Sequence, residues 1–258
     1  MLNYRIHGAL LGHNRPLVVM HGLLGSLDNW NTFASSQQEQ RPVIAIDMRN
    51  HGDSPHVSGM GYQLMVADVL EVLDHLQLEQ IDVMGHSMGG KVAMWLALNH
   101  PQRINKLIVV DIAPVHYPPR HQVLLQAMLT MPIASFKTRR EADNWLAPTI
   151  KHPFERAFLL KNLTWGDNKQ FVWQCHLTEI GRHYLKLTAF PAHDSVYPKD
   201  SLFIGGGQSD YLDEASWEHT QRVFPQARRI IIPEAGHLPH VQTPAVFSEH
   251  VLNELNPS

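Results

Sequence analysis

The strongest constraint in this sequence is an alternation of short, almost wholly apolar runs with segments of helical periodicity. Leu17-Val18-Val19-Met20, Val43-Ile44-Ala45-Ile46, Ile81-Asp82-Val83-Met84 and Leu107-Ile108-Val109-Val110 are strand-sized. Leu202-Phe203-Ile204 and Ile230-Ile231-Ile232 follow late in the chain. Runs of this kind, without a polar residue at every second position, belong to strands covered on both faces. Between them Met65, Val69, Val72 and Leu76 recur at helical spacing. Asn99-His100-Pro101 stops a helix that begins near Met88, because proline disfavours helical backbone in the residue before it. This β-α-β rhythm implies an open parallel sheet with helices on both sides. At 258 residues the chain is long enough for one large α/β domain and short for two.

The rhythm breaks between about Tyr117 and Pro198. That stretch holds helical pieces, several prolines and three of the tryptophans, Trp145, Trp165 and Trp173. It reads as an insertion lying over the strand ends, a lid, with two additional surface helices as the plainer alternative. Apolar residues make up 44% and charged residues 17%, which argues against disorder. A net charge of −3 gives no reason to expect a nucleic acid or a membrane surface as partner. The longest apolar runs are far too short to span a bilayer. The N-terminus lacks a basic stretch followed by a long apolar run, and Cys175 is alone, so the expected location is the cytoplasm. Oligomeric state is not legible.

Gly85-His86-Ser87-Met88-Gly89 fits the pattern G-x-S-x-G, with a strand leading in and a helix leading out. A serine on such a turn exposes its hydroxyl at a helix N-terminus, where developing negative charge is favoured. The hydroxyl is a weak nucleophile and needs a base. The base should follow the last strand, and Ile232-Pro233-Glu234-Ala235-Gly236-His237 supplies His237 there. His240 competes, but it lies past Pro239 and lacks an adjacent glycine. The base in turn needs an acid to hold its tautomer. Asp111, ending one strand, and Asp210, in Gly207-Gln208-Ser209-Asp210 after another, both preserve the chain order Ser, Asp, His, and the residues alone leave the two open. An oxyanion hole would use the N–H of Met88 and that of Leu23, in the His21-Gly22-Leu23-Leu24-Gly25 loop where Gly22 permits an unusual backbone.

Taken together, His21 to Trp30, Asp47-Met48-Arg49-Asn50-His51-Gly52-Asp53-Ser54 and Gly85 to Lys91 resemble the α/β-hydrolase superfamily. Within it they are similar to the bacterial YbfF-type esterases and their mitochondrial relatives. The similarity covers the core, about 17–119 and 201 to the C-terminus, and the insertion matches weakly. It implies the α/β-hydrolase fold, a mostly parallel twisted sheet with helices on both faces and a helical lid insertion. It also implies that Asp111 is the acid, although Asp210 stands where the superfamily at large carries its own.

The expected activity is a serine esterase or thioesterase acting on small-molecule substrates, short- to medium-chain acyl esters or acyl-CoA thioesters, through an acyl-enzyme, with no cofactor. Acyl-pocket walls are expected from Leu23, Leu24, Trp145, Phe154, Phe158, Leu159 and Leu238. A metal hydrolase is disfavoured, because the His237/His240 and His116/His121 pairs lack a carboxylate at ligand spacing. Gly205-Gly206-Gly207 lacks the spacing of a nucleotide site. Carbon–carbon bond hydrolases, lyases and perhydrolases using the same residues stay open, as does a non-catalytic ligand-binding module.

Overall fold

The computed structural model describes residues 1–10 and 14–256. Every apolar run named above forms a strand. These are β2 (Leu17–Met20), β3 (Val43–Ile46), β4 (Ile81–His86), β5 (Ile104–Val110), β8 (Ser201–Gly206) and β9 (Ala227–Ile232). They pair in parallel, and β1 (Tyr4–His7) adds an antiparallel edge on β3. The order across the seven-stranded sheet is β1-β3-β2-β4-β5-β8-β9. The chain therefore winds outward from β2 in one direction and from β4 in the other. The crevice beyond the carboxyl ends of β2 and β4 is the topological switch point, where open α/β sheets bind ligands.

Residues along each strand alternate between two cores. Val18, Met20, Ile44, Ile46, Val83, Leu107, Val109 and Phe203 face α2 (Tyr62–His75) and α3 (Met88–Asn99). Leu17, Val19, Val43, Ala45, Met84, Ile108, Val110 and Leu202 face the other side. There they join Phe33 and Ala34 of α1 (Asn31–Gln37), Trp30 beside it, and Phe247, Val251 and Leu255 at the C-terminus. Burial on both faces is why these runs contain so few polar residues. The exception, Asp82, is buried with Arg41 at 2.8 Å.

Between β5 and β8 lie α4 (Gln122–Leu129), α5 (Arg139–Leu146), α6 (Pro153–Leu159) and α7 (Leu177–Thr188), with a hairpin of β6 (Leu163–Trp165) and β7 (Phe171–Trp173). Beyond β8 come α8 (Glu214–Val223), the short α9 (Pro239–Gln242) and α10 (Pro244–Leu255). The inserted segment is tied to the core at its stem. Lys91, in the second turn of α3 and 2% exposed, donates to the carbonyls of Val115, Thr188 and Ala189 at 3.0, 2.8 and 3.0 Å. All three ammonium donors are thus used, two of them on the carbonyl end of α7, where a cation is favoured.

Lys91→Met should therefore destabilise the protein by about 2–4 kcal/mol, since it strands buried carbonyls without a donor. Urea unfolding measures this, and a loss below about 0.5 kcal/mol, the scale of a neutral surface change, contradicts the clamp.

Candidate active site

The turn from β4 into α3 places Ser87 at φ 51° and ψ −115°, a strained conformation for a residue with a side chain. The flanking glycines make the turn geometrically feasible. A Cβ on Gly85 would lie 2.1 Å from the Gly89 carbonyl oxygen, and one on Gly89 would lie 2.5 Å from that of Met20. Strand, helix and the neighbouring β2 thus touch through bare backbone, and Ser87 is raised at the N-terminus of α3.

His237, in the loop after β9, reaches this hydroxyl with Nε2 at 3.1 Å. Its Nδ1 lies 2.7 Å from Asp111 Oδ2, so Nδ1–H donates to the carboxylate and Nε2 is left to accept from Ser87. Asp111 follows β5 at φ 50° and is fully buried. It accepts from the Gly206 N–H at 2.9 Å and from Ser209 Oγ at 2.5 Å. Asp210 points elsewhere: it is two-thirds exposed and paired with Arg120 at the start of the insertion. The geometry therefore puts Asp111, and not Asp210, at the imidazole.

His237 is also held from other sides. Tyr211 stacks on its ring, with centroids 4.1 Å apart and planes 21° apart. His86 Nε2–H donates to its carbonyl at 2.7 Å. His240, the alternative base, is buried and stacked on Trp30 with centroids 4.4 Å apart, and the Ser87 hydroxyl is bonded to His237 and not to it.

Leu23 and Met88 both flank Ser87, and among the described residues neither backbone N–H has an acceptor. The unusual backbone in the early loop falls on Leu24, at φ 59°, and not on Gly22 as expected from the sequence. Gly22 serves instead as a close-approach position, since a Cβ there would lie 2.7 Å from His86 Nδ1. Two buried histidines fix this loop. His51 Nε2 accepts from the Leu24 N–H at 3.1 Å while Nδ1–H donates to the Arg49 carbonyl. His21 Nε2 accepts from the Met48 N–H at 3.0 Å while Nδ1–H donates to Gly22. The Asp47–Ser54 motif is thus a brace: Asp47 accepts from the Leu27 and Asp53 N–H groups, and Ser54 Oγ donates to the Asp47 carbonyl.

An apolar cavity of about 460 Å³ opens beside Ser87. Leu23, Leu24, Phe154, Phe158, Leu159 and Leu238, named above as pocket walls, all line it. Trp145 does not: it is 44% exposed and packs against Phe136. Sequence reasoning also missed Ser209, Tyr211, His51 and His121. Ser209 had a signal available, since it adjoins Asp210 in the loop that was singled out.

The family model for the alpha/beta hydrolase fold matches residues 15–244. This chain is an α/β hydrolase. Over 260 residues, 99% of each chain, it is 35% identical to the esterase YbfF of Escherichia coli (strain K12). It is 36% identical to the sn-1-specific diacylglycerol lipase ABHD11 of Danio rerio over 254 residues, covering 95% of this chain and 80% of the relative. A marine microorganism esterase of known structure superposes with a TM-score of 0.94 at 34% identity, over 98% of both chains. With relatives of this kind along its length, the α/β hydrolase is a serine ester hydrolase. Among the described residues no helix is long and apolar enough to cross a membrane.

Burial keeps the surrounding histidines neutral. Desolvation lowers His21 and His121 to about 4, and His51 and His240 to about 3, and holds His86 well below its ordinary value. The unfolded chain takes up protons on these side chains below about pH 6.5, and the fold refuses them. Their contribution to stability is complete above that value and is lost as the pH falls from 6.5 toward 4. Each histidine costs up to about 1.4 kcal/mol per pH unit in that window. The urea midpoint should fall sharply between pH 7.5 and 5.0, and a midpoint that does not move contradicts this.

Proposed function

We propose that the α/β hydrolase cleaves carboxylic esters by acylating Ser87, with His237 as general base and acid and Asp111 as the residue that orients it. The observation that carries this reading is the continuous chain of hydrogen bonds from Asp111 through His237 to Ser87, at 2.7 and 3.1 Å. His237 Nε2 takes the hydroxyl proton as Ser87 Oγ attacks the acyl carbon. Charge on the carbonyl oxygen is held by the Leu23 and Met88 N–H groups. The carbon–oxygen bond to the alcohol then breaks as His237 returns the proton to the leaving oxygen. Water, activated by the same imidazole, hydrolyses the acyl-enzyme. Asp111 stabilises the imidazolium, with Ser209 and the Gly206 N–H holding its carboxylate in place.

The apolar walls of the large cavity favour uncharged, aliphatic substrates, and the relatives named as an esterase and a lipase agree with ester chemistry. The same residues are chemically competent on acyl-CoA thioesters. We read the chain as a single catalytic domain acting in the cytoplasm, with residues 117–198 as a lid whose helices α4 and α6 wall the cavity.

Fluorophosphonate labelling and turnover of p-nitrophenyl acetate test the assignment. Ser87→Ala should abolish both while leaving the unfolding transition intact. Asp111→Asn should lower kcat by about 10³–10⁴-fold, the usual effect of losing the acid. Asp210→Asn, a change on the surface, should leave kcat within about threefold. A large loss in Asp210→Asn and a small loss in Asp111→Asn would reverse the assignment.

A further inference from the structure

Ser87 stands between two chambers of very different size. The large one, about 460 Å³, runs under α4 and α6. The small one, about 50 Å³, lies against Met88, Ile112, Tyr62, Tyr184 and Leu187. Leu23, Ser87 and His121 border both and form the divide. A water-sized group needs on the order of 10–15 Å³, so the small chamber takes roughly three to five non-hydrogen atoms and the large one many more.

The chemistry decides which part of an ester enters which chamber. In the tetrahedral species the carbon carries Ser87 Oγ, the oxyanion, the leaving oxygen and the acyl chain. The oxyanion must face the Leu23 and Met88 N–H groups. The leaving oxygen must be protonated by His237 Nε2, so the alcohol departs along the wall that carries His237. His237 and Leu238 border the large chamber, and neither borders the small one. The acyl chain is left with the other chamber, the small one, which meets His237 only through the Tyr211 ring stacked on it.

That chamber is also poorly able to widen. Tyr62 Oη donates to the Leu187 carbonyl at 2.6 Å, Tyr184 Oη accepts from the His121 N–H at 2.8 Å, and Tyr117 Oη is held between Ala113 and Tyr211. The Lys91 clamp closes its far end with three further bonds to the stem of the insertion. The hydroxyls of Tyr62, Tyr117 and Tyr184 and the Lys91 ammonium are engaged with the main chain, so these residues present mainly ring and methylene surface to a ligand.

From this geometry we infer that the α/β hydrolase is selective for short acyl groups, two to four carbons long, on bulky apolar alcohols, with the small chamber as the acyl subsite and the large chamber as the alcohol subsite. This rests on the ester-hydrolase mechanism above and adds the substrate's polarity to it: which end is short and which is long.

Octyl acetate and ethyl octanoate are isomers that differ only in the side on which the long chain lies. Initial rates of acid release with the purified wild-type protein compare them directly and need no variant. Octyl acetate should have at least a tenfold higher kcat/KM. Leu187→Ala, which enlarges the small chamber, should raise the kcat/KM ratio of ethyl octanoate to octyl acetate at least fivefold. Equal rates, or a preference for ethyl octanoate, overturn the chamber assignment while fluorophosphonate labelling of Ser87 keeps the mechanism standing. Turnover of neither isomer together with no labelling at Ser87 removes the mechanism and this inference with it.

Discussion

The contact of bare backbone between β4 and α3 is the constraint on which the site depends. Any side chain at Gly85 or Gly89 would occupy space already filled by carbonyl oxygens. Because both positions are glycine, the chain can reverse from strand to helix within one residue, and that residue is Ser87, held at positive φ. Such strain persists only where surrounding structure enforces it. Here the sheet enforces it: Ser87 N–H donates to the Val110 carbonyl, and Ser87 carbonyl accepts from Lys91 N–H. The nucleophile is therefore fixed by the most deeply buried strands of the protein, directly at the switch point of the sheet.

The groups around Ser87 arrive on loops, and each loop is immobilised by a different chemistry. Asp111 is placed by β5 and locked by the end of β8. His237 is carried past β9 and held by Asp111, Tyr211 and His86. The loop after β2 depends on two imidazoles acting as acceptors for backbone N–H groups, which requires that both stay neutral. Burial supplies that condition. The abundance of histidine near the site thus has a structural purpose distinct from metal binding or proton transfer. A ring with one donor and one acceptor can bridge two main-chain segments that an aliphatic side chain would leave unpaired.

Much of this was legible in the sequence because it is encoded by local pattern. The parallel strands announce themselves as apolar runs, and the nucleophile turn as glycines at fixed spacing around a serine. His237 was identifiable because its loop follows the last strand. The features that escaped reading depend on partners distant in sequence. Asp111 and Asp210 follow neighbouring strands and look alike locally; what separates them is that Arg120 draws Asp210 outward while Gly206 and Ser209 hold Asp111 inward. Trp145 and Phe154 both lie in the insertion, yet the register of α5 turns Trp145 toward Phe136, whereas α6 presents Phe154 to the cavity. The short β1 and the β6–β7 hairpin lack the continuous apolar character of the central strands, being edge elements with one face toward solvent.

The two chambers give this arrangement a direction, since one shared serine faces a confined space on one side and an open apolar one on the other. The central claim, however, is covalent: the acyl group is transferred to Ser87 before water releases it. Rapid quenching of the enzyme during turnover of a short-chain ester, followed by peptide mass spectrometry, tests that step directly. The account predicts a mass gain of one acyl group on the peptide containing Ser87, which accumulates within the first turnover and decays as substrate is exhausted. Steady turnover with no acylated Ser87 peptide at any time, or an acyl group carried by a different residue, would contradict it.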